Sequence, residues 1–91
     1  MAASVTLFPN PAHDSFAVLV PAVPGTTQVQ ATLFNSLGQE VRRQTAALPA
    51  KGTRLDVSVT GLATGVYMLQ LRAGESLVTK RVVVELSLIH I

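Results

Sequence analysis

The sequence predicts an all-β fold, a seven-stranded antiparallel immunoglobulin-like β-sandwich. Short runs of alternating apolar and polar residues recur along the chain, and turn-forming Gly, Pro, Asn and Ser residues separate them. No stretch combines the 3.6-residue apolar period of a helix with capping residues. Because a single hairpin cannot bury a sheet face by itself, two sheets must pack together.

The predicted strands are short, and each one ends at residues that interrupt a ladder. In chain order they span residues 5–8, 14–20, 27–34, 39–45, 53–59, 66–72 and 77–84. The segment 21–25 holds two prolines and a glycine, which do not fit a central ladder. Alternation places every second side chain on an inner face. The inward residues are Phe16, Val18, Val20, Val29, Ala31, Leu33, Leu55, Val57, Val59, Tyr67, Leu69 and Leu71.

Local residue types also predict two chain reversals and one edge strand. Residues 35–38 predict a four-residue reversal in which Gly38 takes a positive φ, and residues 73–76 predict a hairpin turn. The fourth strand is polar, and charged residues such as Glu40 and Arg42 discourage further pairing. This strand is therefore predicted to lie at a sheet edge.

Composition limits the classes of function. The chain has 91 residues, which is enough for one domain. It lacks cysteine, which excludes disulfides, thiolate catalysis and cysteine zinc sites. No apolar run approaches the ~20 residues of a membrane-spanning helix, so no span is expected. The seven basic residues are scattered and aromatic residues are few, so we expect no nucleic-acid partner.

Residue types used in catalysis or metal binding do not form a usable pattern. His13, Asp14 and Ser15 are adjacent, so successive side chains point to opposite faces and cannot form a hydrogen-bonded relay. The histidines and acidic residues lack metal-ligand spacing, and there is no glycine-rich phosphate loop. We expect no catalytic residues, no metal and no cofactor.

Three segments, taken in order, resemble one family. They are Leu7 to Ala12 with Pro9-Asn10-Pro11, Ala31 to Val41 with Asn35-Ser36-Leu37-Gly38, and Leu55 to Leu71 with Gly65-Val66-Tyr67, the third followed by Thr79 to Val84. Together they resemble the type A C-terminal sorting domain of the type IX, or Por, secretion system of Bacteroidota. The resemblance covers about residues 5–85, and the combination is more specific than any one segment.

The resemblance implies a sorting signal without catalysis of its own, carried at the end of a cargo protein that has a signal peptide. After the cargo enters the periplasm, the outer-membrane translocon of type IX secretion would recognise the domain. A sortase-like peptidase would then remove it at the surface. The expected location is the cell surface or the exterior, and the N-terminal cargo domain is missing from this chain.

The chain is expected to divide into three parts. Residues 1–4 lack the basic and apolar blocks of a signal peptide and are expected to be residual linker from the cargo. Residues 5–85 are the expected sorting domain. Residues 86–91 follow the natural end of the last strand, and one set of codons for them resembles the transposase end sequence of sequencing libraries. They are expected to be a non-native tail.

Candidate residues of the sorting signal follow from the resemblance. They are Pro9, Asn10, Pro11, Gly38, Leu62, Gly65, Tyr67, Lys80, Arg81, Val82, Val83 and Val84. Pro9 and Pro11 are expected to hold the backbone extended at the start of the folded signal. Asn10 is expected to turn its side chain back to the backbone. Gly65 is expected where a Cβ would clash or where φ is positive.

Tyr67 and the last strand carry further expectations. Tyr67 is expected to bury its ring and to bond its hydroxyl to a nearby loop, as in the tyrosine corner of other sandwiches. The last strand has two interpretations. In one, its edge offers backbone groups for β-augmentation by a receptor, and Lys80 and Arg81 supply steering and register. In the other, it is a solvated edge with one inward valine face.

Two other functions fit the same strand pattern. A generic immunoglobulin-like or fibronectin-like structural or adhesion module of a surface protein needs the strands but not the three segments. A carbohydrate-binding module usually needs exposed aromatic residues, and the aromatic residues here are few and mostly predicted inward. The position in the full-length gene distinguishes an adhesion module from a sorting domain, because a sorting domain must be terminal.

Overall fold

A computed structural model describes residues 5–85 of the chain. This part forms seven strands and no helix, so the predicted all-β class is confirmed, and strand ends differ from prediction by at most two residues. Residues 1–4 and 86–91, the expected linker and non-native tail, lie outside the described residues. The strands are β1 (Thr6–Phe8), β2 (Ser15–Val20), β3 (Gln28–Phe34), β4 (Glu40–Ala47), β5 (Thr53–Ser58), β6 (Gly65–Ala73) and β7 (Ser76–Val84).

The strands pair into two antiparallel sheets. The three-stranded sheet has the order β1-β2-β5, and the four-stranded sheet has the order β4-β3-β6-β7. The chain changes sheet between β2 and β3, between β4 and β5, and between β5 and β6. This arrangement is consistent with an immunoglobulin-like sandwich. The prediction that β4 is an edge strand is confirmed, and β7 forms the opposite edge of its sheet.

The core lies between the sheets and takes every second side chain from most strands. All the residues predicted to point inward are buried, because strand geometry sends alternate side chains to the same face. The last strand adds Val78, Val82 and Val84 to this core, and the buried Ala12 joins it from the segment before β2. Removal of this apolar surface from water is the main force that holds the two sheets together.

Two buried residues depart from simple alternation. Ala17 and Thr32 lie on outward positions, yet they are only 4% and 6% exposed. Ala17 is directly opposite Phe8 on one side and Asp56 on the other, and Thr32 lies between Arg43 and Gln70 in the same way. A short side chain between two longer neighbours on a sheet is covered by them.

The predicted reversals are confirmed. The amides of Leu37 and Gln39 both donate to Oδ1 of Asn35, at 3.0 and 2.9 Å, and Gly38 has a φ of 81°. In the hairpin between β6 and β7, Gly74 has a φ of 61° at the first position of a two-residue turn, as a type II′ turn requires.

Arg42 joins the two sheets at the side where β4 faces β5. It lies opposite the buried Leu33 and therefore points inward from the edge strand. Its Nε donates to the Ser58 carbonyl at 3.1 Å, and its Nη2 donates to the Thr60 carbonyl at 2.7 Å. An inward cation on an edge strand also discourages a further strand from pairing there.

Gly52 occupies a position that a larger residue does not fit. Its φ is 85°, and an added Cβ would lie 2.5 Å from the carbonyl oxygen of Val20. We predict that Gly52→Ala lowers the free energy of unfolding by about 3 kcal/mol, because backbone strain and a backbone clash act together. Urea denaturation of the purified chain measures this change.

Gly61 provides the matched control. Its φ is 87°, but an added Cβ would meet nothing within 4 Å. Gly61→Ala therefore isolates the cost of the positive φ, and the expected loss is about 1 kcal/mol. Equal losses in the two variants would contradict the clash at Gly52.

Candidate functional site

Segments that are far apart in the sequence meet at one end of the four-stranded sheet. Gly65, the first residue of β6, lies opposite Val84, the last residue of β7. On the other side of β6, Met68 lies opposite Phe34, the last residue of β3. The turn after β3, the connection before β6 and the end of β7 are therefore neighbours. We call this part of the molecule the motif end.

The segment 10–13 runs along the outer edge of β7 at the motif end. Nδ2 of Asn10 donates to the Arg81 carbonyl at 3.2 Å, and Oδ1 of Asn10 accepts a hydrogen bond from the Val83 amide at 3.0 Å. Ala12 continues the contact as a parallel bridge, since its amide donates to the Val83 carbonyl and its carbonyl accepts the Glu85 amide, both at 2.8 Å. The start of the described chain is thus hydrogen-bonded to its end.

This geometry corrects the expectations for residues 9–11. The backbone bends here instead of staying extended, and the peptide bonds before Pro9 and Pro11 are both cis. Asn10 does not bond to its local backbone as expected, because both of its partners lie in β7, more than 70 positions away. The two prolines are exposed and leave the amide side chain as the group that contacts the strand.

The contact with Asn10 and Ala12 also corrects the interpretation of β7 as a free edge. In a strand, the backbone groups of alternate residues point to the same edge. On the outer edge of β7, the Arg81 carbonyl, the Val83 amide and carbonyl and the Glu85 amide are all bonded to the segment 10–13. β-Augmentation along residues 81–85 is therefore blocked in the folded domain.

Lys80 and Arg81 lie on opposite sides of the sheet. Lys80 is opposite the buried Leu69 and is half-buried on the inner side, whereas Arg81 is opposite Met68 and is exposed on the outer side. The two cations therefore do not form one patch, as a joint steering role would require. Lys80 is an inward charge on an edge strand, which discourages strand addition.

Tyr67 has the environment that the sequence predicts. The residue is 6% exposed, so its ring belongs to the core. Its hydroxyl donates to the Ala63 carbonyl at 2.6 Å, four residues upstream in the connection before β6. This bond resembles the tyrosine corner of other sandwiches and holds the connection against the sheet.

Gly65 does not meet either expectation. Its φ is not positive, and an added Cβ would meet nothing within 4 Å. The remaining candidates divide by face: Val82 and Val84 are in the core, and Leu62 is half-buried against it. Val83 points to the outer side and is half-buried.

Sequence reasoning missed Ala12 and Arg42 as positioning residues. Ala12 is fully buried and makes the backbone bridge to Val84. The first of the three segments, Leu7 to Ala12, contains it, but a small apolar residue gives no chemical signal that predicts such a role. Arg42 was read only as an edge residue, because the β-bulge opposite residues 33–34 hides which face of β4 it occupies.

The described residues do not gather a metal site. Residues 5–85 contain no group of three or more His, Asp or Glu side chains placed to hold an ion. The His13 ring, with a proton on Nδ1, donates to the Glu85 carbonyl at 3.1 Å and so joins the junction along β7. Within the same residues, no helix is long and apolar enough to cross a membrane.

The chain matches a known protein family over most of its length. The family described as the secretion system C-terminal sorting domain matches residues 6–85, which is nearly the whole of the described chain. No curated protein sequence matches the chain. The family match covers all three segments that meet at the motif end.

We predict that Asn10→Ala lowers the free energy of unfolding by about 1–2 kcal/mol, because two hydrogen bonds to the edge of β7 are lost. Hydrogen exchange at the Val83 amide should accelerate relative to the rest of β7. Asn10→Asp is the matched variant, since its carboxylate still accepts the Val83 amide but cannot donate to the Arg81 carbonyl. Unchanged Val83 exchange in Asn10→Ala would show that this bond is absent in solution.

A second prediction concerns the hydroxyl of Tyr67. Tyr67→Phe keeps the buried ring and leaves the Ala63 carbonyl without its partner, so we expect a loss of about 1–2 kcal/mol in unfolding free energy. Tyr67→Ala removes the ring too and should cost about 3–5 kcal/mol. Chemical denaturation distinguishes the two contributions. A Tyr67→Phe variant as stable as the parent would show that the hydroxyl hydrogen bond does not stabilise the domain.

Proposed function

The chain belongs to the secretion system C-terminal sorting domain family and is a type IX secretion sorting signal, and we propose that it acts as a folded ligand without catalysis of its own. A signal of this kind interacts with the secretion system and directs protein to the cell surface or the extracellular space. The outer-membrane translocon of type IX secretion recognises the folded domain in the periplasm. A sortase-like peptidase then removes it from the cargo at the surface.

The observation that carries this proposal is the family match over residues 6–85. The structure adds support, because the segments of the match converge at the motif end instead of being spread over the molecule. A contiguous surface built from several segments suits recognition of a folded ligand. The match also favours a sorting domain over the generic adhesion module, which shares the strands but not these segments.

The proposal that the domain has no catalysis rests on its chemistry as well as its family. The His13 ring donates to a backbone carbonyl and not to a neighbouring acid. Tyr67 donates its hydroxyl to the Ala63 carbonyl. Both side chains have structural roles: His13 joins the contact along β7, and Tyr67 holds the connection before β6.

The position of the cargo is part of the proposal. The described chain begins at Val5 and passes through β1 to the bend at residues 9–11, which contacts β7. Because Thr6 lies opposite Leu19 near the end of β2, a cargo joined before residue 5 would enter at the end of the sandwich opposite the segment 10–13. A peptidase that cuts in this linker does not need to open the sandwich core.

We predict that the domain exports a passenger protein. A reporter with a signal peptide, fused in front of residues 1–85 or 1–91, should reach the cell surface or the medium of a type IX-competent bacterium. Fractionation and immunodetection on intact cells measure the distribution. The same reporter without the domain should remain in the periplasm.

A host without the type IX translocon is the second control, and the fused reporter should stay in its periplasm. Periplasmic retention in the competent host, if it persists after native C-terminal residues are restored, contradicts the proposed function. Export that is equal in both hosts contradicts the route.

A further inference from the structure

The outer face of the four-stranded sheet is divided into a polar part and an apolar part. The residues directly opposite one another across the strands form rows on this face. From the hairpin side to the motif end, the rows are Thr45-Gln30-Arg72-Leu77, Arg43-Thr32-Gln70-Thr79, Glu40-Phe34-Met68-Arg81 and Val66-Val83. Polar side chains dominate the first two rows, and apolar side chains occupy the centre of the last two.

Four neighbouring side chains form the apolar part, which we call the outer patch: Phe34, Val66, Met68 and Val83. Val66 is 40% exposed and Met68 is 38% exposed, while Phe34 and Val83 are half-buried. Grouped exposed apolar side chains on a small domain mark an interaction surface more often than single ones do. The outer patch lies at the motif end, beside the contact between Asn10 and β7.

Arg81 lies at the side of the outer patch, directly opposite Met68. Its side chain is exposed. The ion pairs within residues 5–85 join Arg43 to Glu40 and Arg54 to Asp56, and Arg81 takes part in neither. A guanidinium next to exposed apolar groups is suited to pair with a carboxylate of a partner while the apolar groups are covered.

The two edges of the four-stranded sheet disfavour strand addition, so a partner is expected to bind the outer face of the sheet. On one edge of the sheet, the segment 10–13 covers β7 from Arg81 to Glu85, and Lys80 points inward beside the uncovered part. On the other edge, Arg42 points inward from β4 and bonds to the opposite sheet. Both edges carry features that oppose strand addition, whereas Val66 and Met68 in the outer patch are exposed.

We propose that the outer patch and Arg81 form the docking surface for a protein of the export machinery, whose contacting surface presents apolar side chains beside a carboxylate. This inference rests on the proposed function and names the surface that the partner uses. The charge on Arg81 selects an acidic partner. A second copy of the chain fits less well, because Glu40, the carboxylate on the same row, is already paired with Arg43 at 2.6 Å.

The test uses the reporter fused to residues 1–91 in a type IX-competent host, with two matched pairs of variants. Met68→Glu is compared with Leu19→Glu, because Leu19 is 40% exposed on the outer face of the other sheet. Arg81→Glu is compared with Arg72→Glu, because both arginines are exposed on the same face and lie opposite an exposed apolar residue, but Arg72 faces Leu77 and lies outside the outer patch.

Met68→Glu and Arg81→Glu should each reduce the exported fraction by about tenfold, the effect of losing one strong contact at an interface. Leu19→Glu and Arg72→Glu should export like the parent. Urea midpoints of the purified variants separate loss of docking from loss of folding. If Met68→Glu unfolds the domain, the exposed Arg81→Glu still decides the result.

The outcomes separate this inference from the proposed function. A parent reporter that stays in the periplasm overturns the proposed function. A parent that is exported, with Met68→Glu and Arg81→Glu exported equally well, overturns the docking surface alone. Sedimentation of the purified chain and flotation with anionic vesicles complete the test. A dimer or vesicle binding that Met68→Glu abolishes would assign the patch to a second copy or to a membrane instead.

Discussion

The closing contact between the first and last parts of the described chain is the interaction on which the motif end depends. β7 pairs with β6 along one edge, and the segment 10–13 occupies part of its other edge. Two of the hydrogen bonds come from one side chain, that of Asn10, and two come from the backbone of Ala12. Because the strand is held from both sides, the positions of Val82, Val83 and Val84 are fixed relative to both sheets.

The same contact solves a general problem of open sheets. A four-stranded sheet has two edges with unpaired backbone groups, and such edges pair readily with other chains. This domain covers one edge with the segment 10–13 and places Lys80 inward beside it, and it places Arg42 inward at the other edge. A folded sorting signal benefits from edges that do not recruit foreign strands. The protection leaves the sheet faces, rather than the edges, for specific contacts.

Most of the fold was predictable from the sequence, because burial follows the alternation of side chains along each strand. Every residue predicted inward is buried, and the strand count, the β4 edge and the turn at Gly38 follow from local patterns. Local patterns do not encode which distant strand a polar side chain meets. The partners of Asn10 in β7 were therefore missed. Gly65 was misjudged for a related reason, since its freedom from neighbours depends on the tertiary packing of the connection before β6.

The convergence of distant segments has a consequence for how such a signal is read. The outer patch takes Phe34 from β3, Val66 and Met68 from β6, and Val83 from β7, so no short peptide of the chain contains it. Ordering these segments requires closure of long loops, and the entropy of that closure is offset only when the core forms. The surface therefore exists in the folded domain and is lost on unfolding. A receptor that docked on this surface would distinguish a folded domain from an unfolded chain that carries the same residues.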